Sequence, residues 1–91
     1  MINSNDRDNK IRNAYLDHII EKYGFSLSVE DLCELLQVSR PQVDRLIHLG
    51  VLPVAKIGRQ TRMTADDFVI WWRKRVEDSQ REAQIRLLRG E

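Results

Sequence analysis

Between Lys10 and Gly24 the apolar positions recur at helical spacing. Ile11, Tyr15, Leu16, Ile19, Ile20 and Tyr23 cover about half of a helix circumference. Gly24 suits the C′ position that stops such a helix. Residues 1–9 are polar and read as a tail. Past Gly24, two short helices are announced by their caps. Ser28-Val29-Glu30-Asp31 places a hydroxyl at an N-cap and acids at the positive end of the helix dipole. Leu32, Leu35 and Leu36 form the inner face of this helix, with Leu27 as a staple residue ahead of the cap. Ser39-Arg40-Pro41-Gln42 repeats the signal. Ser39 and Gln42 fit an S-x-x-Q capping box, and Pro41 is tolerated where no intrahelical donor is lost. Val43, Leu46 and Ile47 supply the buried stripe, and Gly50 ends it.

After Gly50 the period changes. Val51 to Ile57 is β-prone, Gly58-Arg59-Gln60 supplies a turn, and Thr61-Arg62-Met63 returns, which predicts a small hairpin. Pro53 makes the start of the first strand irregular or confines it to an edge. Thr64-Ala65-Asp66-Asp67 caps a last helix in which Phe68, Trp72 and Val76 line up, with Trp71 beside them. Both tryptophans are expected in the core. Beyond Val76 the helix is highly charged and runs to about Leu88, with favourable i,i+4 spacings from Glu77 to Arg81 and from Glu82 to Arg86.

A length of 91 residues suits one domain, and 42% apolar with 32% charged residues is a globular balance. The longest apolar run, Phe68 to Trp72, is far short of the ~20 residues a bilayer span requires. The first residues have no apolar signal-peptide core, so a cytoplasmic location is expected. One cysteine makes no internal disulfide, and no Cys/His cluster points to zinc. The net charge of +1 conceals an uneven distribution. Residues 26–38 sum to −3, whereas residues 39–63 sum to +4 through Arg40, Arg45, Lys56, Arg59 and Arg62 against Asp44 alone. A local basic stretch of this kind points toward a polyanion.

The order of a capped helix, a turn, a second capped helix, a basic hairpin and a tryptophan-bearing helix describes a mainly α winged helix-turn-helix. With Val43, Leu46 and Ile47 inward, Ser39, Arg40, Gln42, Asp44 and Arg45 remain for the outside. The N-terminal half of such a helix meets the bases of a major groove, where Arg bridges guanine O6 and N7 and Gln bridges adenine N6 and N7. The hairpin brings Lys56, Arg59, Gln60 and Arg62 to the backbone or minor groove. Asp44 is the exception in this set. An acid facing phosphate is repulsive, unless it accepts from cytosine N4 or neutralises Arg40 four residues earlier.

Leu27 to Leu32, Gln37 to Arg40, Leu46 to Pro53 and Lys56 to Arg62 together resemble the excisionase-type DNA-binding family. That family is a branch of the MerR-like winged helices and includes AlpA-like phage regulators. The resemblance covers about residues 26–73 and implies a recognition helix in the major groove with a wing on flanking DNA. It implies a recombination directionality factor or a small transcription regulator of a phage or mobile element. Two departures stand out: Asp44, where a neutral contact residue is common, and the helices added at both ends. Val69-Ile70-Trp71-Trp72 followed by a charged helix also looks like the small terminase subunits of some tailed phages, the alternative being DNA packaging. A protein-interaction adaptor is a further alternative.

Four parts are therefore expected: a tail (1–9), an N-terminal amphipathic helix (10–24), the DNA-binding domain (26–76) and a charged helical extension (77–91). No cofactor and no catalysis are expected, since the four glycines are scattered and no nucleophile motif is present. Cys33 reads as a small buried side chain, His48 as a complement to a helix C-terminus, and His18 has no catalytic partner nearby. A homodimer, or a heteromer with a phage integrase or terminase subunit, is expected. Ile11, Tyr15, Leu16, Ile19, Ile20 and Tyr23 would supply its apolar contact, the alternative being that both added helices fold back onto a monomer.

Overall fold

The computed structural model describes residues 4–90, with side-chain surroundings from Asn13 onward. Its elements are α1 (Ser4–Tyr23), β1 (Ser26–Leu27), α2 (Val29–Leu36), α3 (Arg40–His48), β2 (Ala55–Ile57), β3 (Gln60–Thr64) and α4 (Ala65–Arg89). The fold is mainly helical around a small antiparallel sheet of order β1-β3-β2. Residues 4–9, expected in the tail, belong to α1. A polar composition does not exclude a helix, because Asn, Asp and Arg each cost less than about 0.7 kcal/mol relative to Ala.

Both ends of α2 are set locally. Ser28 Oγ accepts from the Asp31 N–H at 3.1 Å, and Asp31 Oδ2 accepts from the Ser28 N–H at 2.9 Å, a reciprocal capping box. At the other end Gln37 takes a left-handed conformation (φ 55°), and the Val38 N–H closes the turn onto the Cys33 carbonyl at 3.1 Å. Left-handed backbone costs an L residue ~1–2 kcal/mol, and glycine returns ~0.5–1 of that through unfolded-chain entropy. Gln37→Gly is therefore expected to stabilise the protein by roughly 0.5–1 kcal/mol. A urea midpoint that stays in place at constant m-value would show that Gln37 carries no such cost. The cap expected at Ser39 is different in the structure. Its side chain makes no capping hydrogen bond, and Pro41 at the start of α3 removes one of the donors that would need satisfying.

The hairpin is shorter than its β-prone sequence. The Val54 N–H donates to the Leu52 carbonyl at 2.9 Å, a three-residue turn centred on Pro53, whose locked φ suits it. Pairing begins at Ala55↔Arg62 and continues through Lys56↔Thr61 to Ile57↔Gln60, leaving Gly58-Arg59 as a two-residue loop. Gly58 has φ +63°, as the first central position of a type II′ turn requires. The third strand, β1, was not evident in the sequence because two residues show no alternation. It pairs Ser26↔Thr64 and Leu27↔Met63.

Leu27, Leu32, Val43 and Met63 are fully buried, and Ile19, Val29, Leu52, Ala65, Phe68 and Val69 complete the core. α1 lies against α4, and Lys22 Nζ meets Glu34 Oε1 at 3.1 Å to tie it to α2. Trp71 is half-buried and donates its indole N–H to the Val51 carbonyl at 2.8 Å, which fastens α4 to the loop after α3. The core expectation is wrong for Trp72, which is 46% exposed. Successive helical residues diverge by ~100°, so a face that buries Phe68, Val69 and part of Trp71 turns the next residue outward. Every residue from Ser79 to Gly90 is exposed. The i,i+4 spacings of that segment close no ion pair among the described residues. No helix among the described residues is long and apolar enough to cross a membrane.

Candidate nucleic-acid interface

The turn Gln37-Val38-Ser39 sets α3 across α2, and packing against the core orients it. Val43 is fully buried, with Leu46 and Ile47 packed beside it. Ser39, Arg40, Gln42, Asp44 and Arg45 are all exposed. They do not share one face. At ~100° per residue, Pro41, Arg45 and His48 form the ridge opposite the buried stripe. Arg40 and Asp44 lie to one side of it, and Gln42 lies to the other.

The register of the hairpin divides the wing residues in the same way. Lys56 pairs with Thr61 and shares the face that continues to the buried Met63. This face borders a groove of about 660 Å³ lined by Arg40, Asp44, Ile47 and His48 of α3 and by Lys56 and Thr61 of the wing. A second, smaller recess continues past Glu30 and Arg40 to Arg59, Gln60 and Arg62. Gln60 and Arg62 stand on the opposite face of β3 from Thr61. Gln60 Oε1 accepts from Arg62 Nε at 3.2 Å and from Nη2 at 2.9 Å. Arg59 is exposed at the tip beside Gly58.

The basic residues differ in how committed they are. Arg40 Nη1 donates to Glu30 Oε1 at 2.6 Å, and Arg40 Nε donates to Asp44 Oδ1 at 3.3 Å. The hydrogen bond to Asp44, together with the charges of both acids, holds the Arg40 pKa above the ordinary arginine value, so it is always charged. Arg45, Lys56 and Arg59 have no ion-pair partner among the described residues. The sequence reading missed Glu30, Thr61 and His48 as members of this surface. His48 follows Arg45 by three residues, so helical period alone could have placed it there. Glu30 and Thr61 required knowledge of how α2 and the wing approach α3.

Of the residues expected to mediate oligomerisation, Ile19 is buried in the chain's own core, and Leu16 and Tyr23 pack against that core. Tyr15 and Ile20 stay exposed, and the Ile11 side chain lies outside the described residues. Tyr15 and Trp72 border an apolar cleft of about 460 Å³ between α1, the end of α2 and α4. Cys33 is half-buried, and no group of three His, Cys, Asp or Glu among the described residues could hold a metal ion.

A capped α2, a three-residue turn, an outward-facing α3 and a basic two-stranded wing define a DNA-binding protein of the winged helix-turn-helix class. Residues 26–76, more than half of the chain, match the helix-turn-helix domain family, and the chain belongs to that family. No curated protein and no solved structure gives a significant match.

Proposed function

We propose that the protein recognises a specific double-stranded DNA site, with α3 in the major groove and the wing on flanking backbone, and that it catalyses no reaction and needs no cofactor. The observation that carries this reading is the groove in which Arg40, Asp44 and His48 of α3 face Lys56 and Thr61 of the wing. It lies within the one stretch of the chain with a marked positive excess. In biological terms the reading is an excisionase-type directionality factor, or a small transcription regulator, of a phage or mobile element. That assignment rests on the resemblance of residues 26–73 to the AlpA-like branch. A packaging protein of the small-terminase kind is the second reading. Its support is the projecting end of α4, where Ile85, Leu87 and Leu88 are exposed. One winged domain makes a small interface, often ~600–1,000 Å². Two copies, or one copy with an integrase or terminase subunit, therefore fit either role, with Tyr15, Ile20 and Trp72 among the exposed apolar residues available for contact.

The test begins by selecting duplexes from a random library and measuring affinity for the selected site and for unrelated DNA as salt is varied. Arg59→Ala is expected to weaken both equally and to lower the salt slope by about one, the signature of one lost phosphate contact. An arginine that only protects the strand edge would leave affinity unchanged and increase aggregation. Failure of the wild type to bind any duplex at low salt would leave the adaptor reading in its place. Sedimentation with and without the selected duplex reads the copy number.

A further inference from the structure

Arg40 is the one basic residue of α3 that is held by acids from two elements. Glu30 belongs to the first turn of α2, and Asp44 lies one turn further along α3. All three side chains are more than half exposed, and exposed ion pairs contribute little to stability. The two carboxylates also stand on the surface assigned to DNA, where they repel phosphate. Folding therefore gains little from this arrangement, and nonspecific DNA affinity is reduced by it. What remains is its effect on the guanidinium itself.

A guanidinium carries five N–H donors in a rigid plane. One of them, on Nε, goes to Asp44, and one on Nη1 goes to Glu30. One N–H of Nη1 and both of Nη2 have no partner among the described residues and are left to donate. Such donors suit the O6 and N7 acceptors that a guanine presents in the major groove. An arginine without such acidic partners has more rotamer freedom to lose when it meets a base or a phosphate. With Nε and one Nη1 donor engaged, the plane is biased toward one orientation before DNA arrives, and less rotamer freedom is lost on binding.

We propose that Glu30 and Asp44 are positioning residues that aim the remaining Nη donors of Arg40 at a guanine and so set specificity at one base pair of the site. This rests on the reading of α3 as the recognition helix. It also changes the role of Asp44, which orients an arginine instead of contacting a base.

The test compares the wild type with Arg40→Ala, Glu30→Gln, Asp44→Asn and Asp44→Glu in library selection. Each protein is then measured on the wild-type site and on an unrelated duplex. Arg40→Ala is expected to lose the preference for guanine at one position. Glu30→Gln and Asp44→Asn are expected to weaken that same preference by roughly fivefold to tenfold and leave the others in place. Their affinity for unrelated DNA rises or stays level, because a negative charge has gone. Asp44→Glu, which keeps an acid one turn from Arg40, restores the preference. Unchanged melting temperatures separate this pattern from damage to the fold. An unaltered consensus, with both duplexes bound more tightly to the same degree, would overturn the proposal and leave the acids as simple repulsive charges. So would an Arg40→Ala protein that selects the wild-type consensus. In both cases the wild type still selects a site, whereas loss of all DNA binding by the wild type overturns the recognition-helix reading as well.

Discussion

Leu32→Ala is expected to lower the unfolding free energy by roughly 2–5 kcal/mol, the range for a leucine removed from a packed interior. Leu32 is 1% exposed and belongs to the same cluster as Leu27, Val43, Met63 and Phe68. Those residues come from β1, α3, β3 and α4, so the lost methyl groups touch the centre on which both helices of the DNA-binding unit rest. A chain of this length has a total stability of about 5–14 kcal/mol. The substitution therefore consumes a large part of it, and DNA binding is lost along with the fold at the upper end of the range. Denaturant unfolding at matched m-values measures the change. Leu32→Met, which nearly conserves volume, is expected to cost less than about 1.5 kcal/mol. Equal and small costs for both would mean that the site collapses around the cavity.

The second large effect concerns binding with the fold intact. Arg45→Ala is expected to cost roughly 1–3 kcal/mol on the selected DNA site, about 5- to 150-fold, and to relax discrimination at one base position. Arg45 is exposed on the ridge opposite the buried stripe and has no ion-pair partner among the described residues. Its truncation removes nothing the core needs, so the unfolding transition is expected to stay in place. Titration of wild type and variant against the selected site and against unrelated DNA separates two roles. A loss confined to the selected site identifies a base contact. Equal losses on both identify a phosphate contact, with a salt slope lower by about one.

Arg40 and Arg45 differ in how they are held. Arg45 has no ion-pair partner among the described residues, whereas Arg40 is paired with Glu30 and Asp44. The difference is invisible in charge counts, where each contributes one positive charge. It arises because Arg40, at the start of α3, meets Glu30 in the first turn of α2, whereas Arg45 meets no acid among the described residues.

The sequence by itself determined whatever depends on local chemistry and period. Ser28 with Asp31, the left-handed stop at Gly50 and the Gly58 turn follow from residues close together in the chain. The inward stripe of Val43, Leu46 and Ile47 follows from helical period, and with it the exposure of Ser39, Arg40, Gln42, Asp44 and Arg45. Tertiary structure decided what depends on distant partners. Strand β1 exists only because Met63 and Thr64 lie opposite Leu27 and Ser26. Trp71 and Trp72 are chemically identical neighbours, yet only Trp71 finds a carbonyl at Val51, while Trp72 turns outward. α1 shows an apolar face that fits a partner or the chain's own core equally well by pattern. The packing of Leu16, Ile19 and Tyr23 settles part of that face inward. Charge counting cannot anticipate that Glu30, ten residues from Arg40, grips it at 2.6 Å. Local propensity is encoded over a few residues, whereas burial and ion pairing depend on which surfaces meet.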